Sequence, residues 1–204
     1  MKNPQDLYIN KLFWTNKRIF DISLSLLLLP LLFTIAMVLL VLNLFFNQGR
    51  LFFIQKRMGK NCELFFAIKF RTMTYIKEIT RKHDDPVEVN RITPLGRILR
   101  NMRIDELPQI LNVLRGDMSF IGPRPDYYVH ALEYLKNVEG YRERHTIRPG
   151  ITGLSQIRLG YAESLEETSK KAFIDNYYIQ NVGYIIELKI IFNTILIILK
   201  GLGK

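Results

Sequence analysis

The sequence predicts an α+β chain, mostly helical, built around one apolar membrane segment. Three observations carry that reading. Residues 22–49 contain no charged side chain. Two short runs rich in Phe and Ile, 51–57 and 64–70, flank Gly59-Lys60-Asn61 as strands flank a hairpin turn. Beyond residue 93, apolar positions recur at helical spacing between proline and glycine stops. A length of 204 residues suits one domain with a real core. With 48% hydrophobic and 12% aromatic residues, a disordered chain is excluded. One cysteine, Cys62, excludes a disulfide scaffold and a multi-cysteine zinc site, and it fits a reducing compartment.

The membrane segment comes first. Of its 25 residues 22–46, 20 are apolar. A straight helix of that length reaches ~37 Å, enough for a hydrocarbon core of ~30 Å. No small-residue cleavage site follows, which argues against a removable signal peptide. The net charge of +10 implies an anionic partner, and +6 of it falls in the first 60 residues, around this apolar run. That distribution points to a membrane surface rather than to nucleic acid. Lys11, Lys17 and Arg18 precede the run, while Arg50, Lys56, Arg57 and Lys60 follow it, so the positive-inside bias favours neither orientation. Pro30 removes a backbone donor inside it and predicts a kink or split. Equal flanks and an internal proline suggest a hairpin that enters and leaves on one face; a spanning helix stays open.

After the hairpin of short strands, residues 77–91 carry eight charges in fifteen positions and read as a solvated loop or frayed helix. Thr93-Pro94 is a good helix start, with Leu95, Ile98, Leu99 and Met102 behind it. A second helix is expected from Asp105, running to Gly116. Gly122-Pro123-Arg124-Pro125 and Arg148-Pro149-Gly150-Ile151-Thr152-Gly153 read as rigid loops. Residues 164–178 read as a helix. Residues 184–199 read as an amphipathic helix, packed on the core or lying in the membrane interface.

Chemistry concentrates at Asp105-Glu106. Asp is a common N-cap and Glu suits a first turn, so the pair has a structural reading as well as a chemical one. Its surroundings favour chemistry: Arg97, Arg100 and Arg103 precede it, and Arg115 and Arg124 follow. Carboxylates able to hold a divalent cation, ringed by guanidinium groups, suit phosphate chemistry. Two prolines stiffen the loop that presents Arg124, which reduces the entropy lost when its fork grips an oxyanion. Lys69 and Arg71 end the second strand, where alternation puts both on one face. His83, His130 and His145 are scattered and offer no ligand set.

Six motifs then occur in order. They are Lys69-Phe70-Arg71-Thr72-Met73, Asp105-Glu106-Leu107-Pro108-Gln109, Asn112-Val113-Leu114, Gly116-Asp117-Met118-Ser119, Gly122-Pro123-Arg124-Pro125 and the run from Arg148 to Leu154. Together they closely resemble the bacterial sugar transferase family of monotopic phosphoglycosyl transferases, in the small form that holds only the catalytic unit. The resemblance implies a UDP-sugar donor, polyprenol (undecaprenyl) phosphate as acceptor, UMP as product and Mg²⁺ as cofactor. It implies a place on the cytoplasmic face of the bacterial inner membrane and the start of glycan or exopolysaccharide synthesis. It also implies a re-entrant membrane helix broken at Pro30. Residues 1–48 would form the membrane part and 49–204 the catalytic domain.

Carried over by that resemblance, Asp105 is the nucleophile that holds a phospho-sugar, and Glu106 is the second acid. Both would be metal ligands. Arg100, Arg124, Lys69 and Arg148 would contact substrate phosphates, and Asp175, Tyr177 and Tyr178 would support the site. The sequence departs from the family in three places, the first being Leu29 before Pro30, where many members carry serine. Ser155-Gln156-Ile157-Arg158 looks like exopolysaccharide-type members, and Cys62 stands where glycine is common. A non-catalytic, basic membrane tether is the alternative from another class, and it would need only diffuse charge. No nucleic-acid recognition motif accompanies the charge.

Overall fold

The computed structural model describes residues 4–74, 88–160 and 164–200. The apolar run and its basic lead form one long helix, α1 (Pro4–Phe46). The split expected at Pro30 is absent, for the helix continues through that residue. A proline deletes one backbone hydrogen bond, and the remaining ladder keeps the chain helical. The stretch Lys11–Phe46 is long and apolar enough to cross a bilayer. Leu32 and Leu39 turn inward against Phe70, Leu99 and Ile110. Leu27, Phe33 and Phe45 point outward, 74%, 69% and 72% exposed.

Polar side chains fasten both ends of α1. Near its start, Lys17 pairs with Glu187 at 2.5 Å, and Asp21 accepts hydrogen bonds from Ser119 Oγ and the Phe120 N–H, each 3.1 Å long. Near its end, Asn47 donates to the Arg71 carbonyl at 2.8 Å. Arg71 donates in turn to the carbonyls of Asn47, Gln48 and Arg50, which closes the C-terminus of the helix.

Strands β1 (Phe52–Met58) and β2 (Leu64–Phe70) form the expected antiparallel hairpin, with Phe52 opposite Phe70 and Met58 opposite Leu64. Its turn holds Asn61 and Cys62 at φ 55° and 63°. This left-handed region favours glycine, so the side chain of Cys62 sits there under backbone strain. Because β2 ends at Phe70, Lys69 and Arg71 part company. The lysine turns to the acidic pair and the arginine to α1.

The charged stretch 77–91 lies outside the described residues except for its end, where Val89–Arg91 make a 3-10 turn. Helix α2 (Pro94–Asn101) starts as expected, with Thr93 Oγ1 accepting from the Gly96 N–H at 3.0 Å. The helix expected from Asp105 starts later. Ile104–Gln109 is a 3-10 stretch entered from Arg103 at φ 58°, and α3 (Ile110–Arg115) follows it. Pro108 accounts for the delay, because it disfavours α geometry at Leu107 and supplies no donor. Gly116 ends α3 at φ 96°. Buried Asn112 ties α3 to β2, donating to the Phe66 carbonyl at 2.7 Å and accepting from the Ile68 N–H at 3.0 Å.

A second sheet was not foreseen. Strands β3 (Ser119–Ile121) and β4 (Gly150–Thr152) run parallel, with Ser119 opposite Gly150 and Ile121 opposite Thr152. A Cβ at Gly150 would lie 2.1 Å from the Gly122 nitrogen, so the glycines let the two backbones meet. Helices α4 (Tyr128–Asn137), α5 (Leu154–Leu159), α6 (Leu165–Gln180) and α7 (Tyr184–Leu199) complete the chain. Ser164 and Glu167 form a capping box at the start of α6. On α7, Ile190 is buried while Ile185 and Leu199 face outward. Among the described residues the fold is mostly helical with two small sheets, as the α+β reading requires.

Candidate active site

The 3-10 stretch buries both acids, and the left-handed turn at Arg103 aims them at the end of β2 and the loop after β3. Cations surround Glu106. Lys69 Nζ lies 2.6 Å from its Oε1 and Arg103 Nη1 3.5 Å from its Oε2. Arg124 grips both oxygens, with Nη1 2.9 Å from Oε2 and Nη2 on Oε1. Asp105 makes no hydrogen bond or ion pair with any described residue. Arg100 stands near it as a favourable charge, its Nε held by Thr72 Oγ1 at 2.9 Å.

These environments drive the two acids apart. Burial pushes the Asp105 carboxyl above its ordinary range, and Glu106 adds to the rise while Lys69 and Arg124 oppose it. Burial would also raise Glu106, but Arg124 and Lys69 outweigh it and hold that carboxyl well below its ordinary range. Burial brings the Lys69 ammonium down to about 8, against the pull of Glu106. The site therefore offers one carboxylate locked among cations and one left without a partner. Four cations face two carboxylates, which leaves positive charge for an anionic ligand.

Behind Arg124 lies a buried network. Arg144, with no exposed side-chain surface, donates to the Arg124 carbonyl at 2.8 Å and pairs with Asp126 and Asp175. Lys171 pairs with Asp126 from the other side. This network fixes the Pro-Arg-Pro loop from beneath. Of this network Asp175 is legible in the sequence, while no motif there singles out Arg144, Asp126 or Lys171. Asp126 directly follows the loop, which was the available signal. Tyr178 donates to Glu187 at 2.6 Å, and Tyr177 is half-exposed.

The structure thus gathers Asp105, Glu106, Lys69, Arg100 and Arg124, and adds Arg103. It places Arg148 elsewhere. That residue donates from Nε to the Gly116 carbonyl at 2.8 Å and lines a different cleft with Lys17, Arg18 and Lys60. Among the described residues, no group of three or more His, Cys, Asp or Glu could cage a metal ion. The free Asp105 carboxylate suits Mg²⁺, which binds through one or two carboxylates plus substrate phosphates. Glu106 could join only by sharing an oxygen already held by Arg124 or Lys69.

The family model for bacterial sugar transferases matches residues 12–201. Over 187 residues the chain is 37% identical to the UDP-N-acetylgalactosamine-undecaprenyl-phosphate N-acetylgalactosaminephosphotransferase of Aeromonas hydrophila, covering 92% of this chain and 44% of that protein. It is 37% identical over 181 residues to the UDP-glucose:undecaprenyl-phosphate glucose-1-phosphate transferase of Klebsiella pneumoniae, covering 88% and 39%. It is also 36% identical over 189 residues to the exopolysaccharide production protein PSS of Rhizobium leguminosarum bv. phaseoli, covering 88% and 92%. The chain spans less than half the length of the first two relatives.

Proposed function

Since the chain belongs to the bacterial sugar transferase family, we propose that it moves a sugar-1-phosphate from a UDP-sugar to undecaprenyl or a similar polyprenyl phosphate, releasing UMP. The observation that carries this reading is the contrast between Asp105, buried and unpartnered, and Glu106, clamped by Arg124, Lys69 and Arg103.

An Asp105 oxygen attacks the β-phosphorus of the donor. The bond from that phosphorus to the bridging oxygen breaks, and UMP leaves with the bridging oxygen. The sugar phosphate is then held as an acyl phosphate. A phosphate oxygen of the lipid acceptor attacks the same phosphorus and returns the Asp105 carboxylate. Desolvation strips Asp105 of the water that would blunt it. Arg124, Arg100 and Lys69 offset the charge that gathers on the phosphate oxygens. Glu106 holds Arg124 and Lys69 in place for that work. Mg²⁺ held by Asp105, with Glu106 sharing an oxygen, would neutralise charge on the diphosphate.

We also place residues 1–48 in one leaflet on the cytoplasmic face, as a re-entrant segment beneath the catalytic part 49–204. The support is mechanical. From Asp21 to Asn43 a helix rises ~33 Å, about the full hydrocarbon thickness. Yet Asp21 bonds to β3, Leu32 and Leu39 pack on Phe70, and Asn43 meets Arg71, all on the same folded body. A helix crossing the bilayer would carry its two ends to opposite sides. The exposed apolar faces of α1 and α7 would rest in the lipid.

The test is to incubate the full chain in a membrane mimic with Mg²⁺, polyprenyl phosphate and a panel of UDP-sugars, and to separate UMP from UDP. UMP release that disappears in Asp105→Asn, with membrane association intact, supports the proposal. UDP release means a different bond is broken and overturns it.

A further inference from the structure

The second basic cleft lies apart from the acidic pair, and none of its lining residues is bonded to Asp105 or Glu106. Its volume is about 260 Å³, and Trp14, Lys17, Arg18, Lys60 and Arg148 line it beside Asp21. Glu187 neutralises Lys17, while Asp21 keeps its negative charge and accepts only from neutral Ser119 Oγ and the Phe120 N–H. The other three cations meet only neutral groups. Arg18 donates to the carbonyls of Val113 and Leu114 at 2.7 and 3.0 Å. Arg148 uses Nε on the Gly116 carbonyl, which leaves its two terminal nitrogens without a partner among the described residues. The Lys60 ammonium has none there either. The carbonyl bonds at the end of α3 fix both guanidinium groups in advance, so a bound anion would order little more than Lys60.

Arg18, Lys60 and Arg148 against the one carboxylate of Asp21 leave the cavity net positive, which calls for an anion. The depth of the cleft says which kind. Trp14, Lys17 and Arg18 stand within about three helical turns of the charge-free run that begins at residue 22. Tryptophan and basic residues at that position mark the boundary between lipid and water, where phosphodiester headgroups lie. We propose that this cleft is a phosphate-ester site that takes the headgroup of an anionic phospholipid. A lipid held there joins the start of α1, the end of α3 and the β1–β2 turn through one phosphate. It would set how the molecule sits on the membrane.

Trp14 is the sole tryptophan, so its emission reports directly on the cleft. The detergent-solubilised full chain is titrated with short-chain phosphatidylglycerol, with phosphatidylcholine and with inorganic phosphate. The proposal expects a saturable change with phosphatidylglycerol, little with phosphatidylcholine, and competition by phosphate. Lys60→Gln and Arg148→Gln should each weaken the anionic lipid about tenfold, the scale of one charged hydrogen bond. Lys189→Gln, a charge-matched change on α7 that does not line this cleft, should bind like the parent. The Lys60 side chain bonds to no described residue, so its variant tests the site even if Arg148→Gln disturbs the end of α3. A response to phosphate without one to phosphatidylglycerol would keep an anion site and overturn the lipid as its source. Equal response to both lipids, or parental affinity in Lys60→Gln, would overturn the proposal outright. Asp105→Asn should retain the response, so this result stands or falls separately from the transferase reaction.

Discussion

Asp105 and Glu106 are neighbours in the chain and opposites in environment. The difference comes from Lys69 and Arg124, which turn to Glu106 and leave Asp105 bare. The pH dependence of the proposed reaction follows. Asp105 attacks only when ionised, and its carboxyl is raised, so the rate should climb with pH above the ordinary carboxylate range. Lys69 helps only when charged and sits at about 8, so the rate should fall as pH rises through that value. A pH–rate profile should therefore be bell-shaped, and Lys69→Arg should remove the alkaline limb. Arg124→Lys keeps a charge but loses the two-pronged grip on Glu106. Initial rates should drop by about a hundredfold, the scale of losing one preorganised donor. The sequence made the acidic pair and the stiff arginine loop legible. Which acid is free was not, because that depends on residues distant in the chain.

Individual elements report their constraints through glycine, or its absence. Cys62 occupies a left-handed turn position at φ 63°, which costs a side-chain-bearing residue roughly 1 kcal/mol. Cys62→Gly should stabilise the protein by about that amount, less the added freedom of its unfolded chain, as read by chemical denaturation. Gly96 presents the reverse case. A Cβ there would lie 2.0 Å from the Thr72 carbonyl oxygen, so α2 could not stay against the chain leaving β2. Gly96→Ala should destabilise by about 3 kcal/mol, the upper range for overpacking, and should also displace the Arg100 contact with Thr72. Helices α2, α6 and α7 and the hairpin were legible because caps, turn residues and apolar spacing are local signals. The β3–β4 pair was not, since two three-residue strands carry too little alternation to stand out from the prolines and glycines around them.

At the scale of the molecule, α1 packs against the body that carries Asp105 and Glu106 as one unit. Both ends of α1 bond to the same body, and the proposal puts both on the cytoplasmic side. Single cysteines at Lys11 and Gln48, in the Cys62→Gly background, should both react with an impermeant thiol reagent from that side. Labelling of the two from opposite sides would mean a spanning helix. Composition announced the apolar segment at once, but equal basic flanks could not orient it; that information lies in Asp21, Asn43 and Asn47, polar residues that bind the folded body rather than water. The proposed role of Asp105 is tested most directly by trapping the protein with donor alone. Protein exposed to a UDP-sugar without polyprenyl phosphate, quenched and digested, should carry a sugar-phosphate mass on the peptide containing Asp105, and Asp105→Asn should carry none. An unmodified peptide, with UMP released only when the lipid acceptor is present, would mean direct transfer between substrates and would contradict the account.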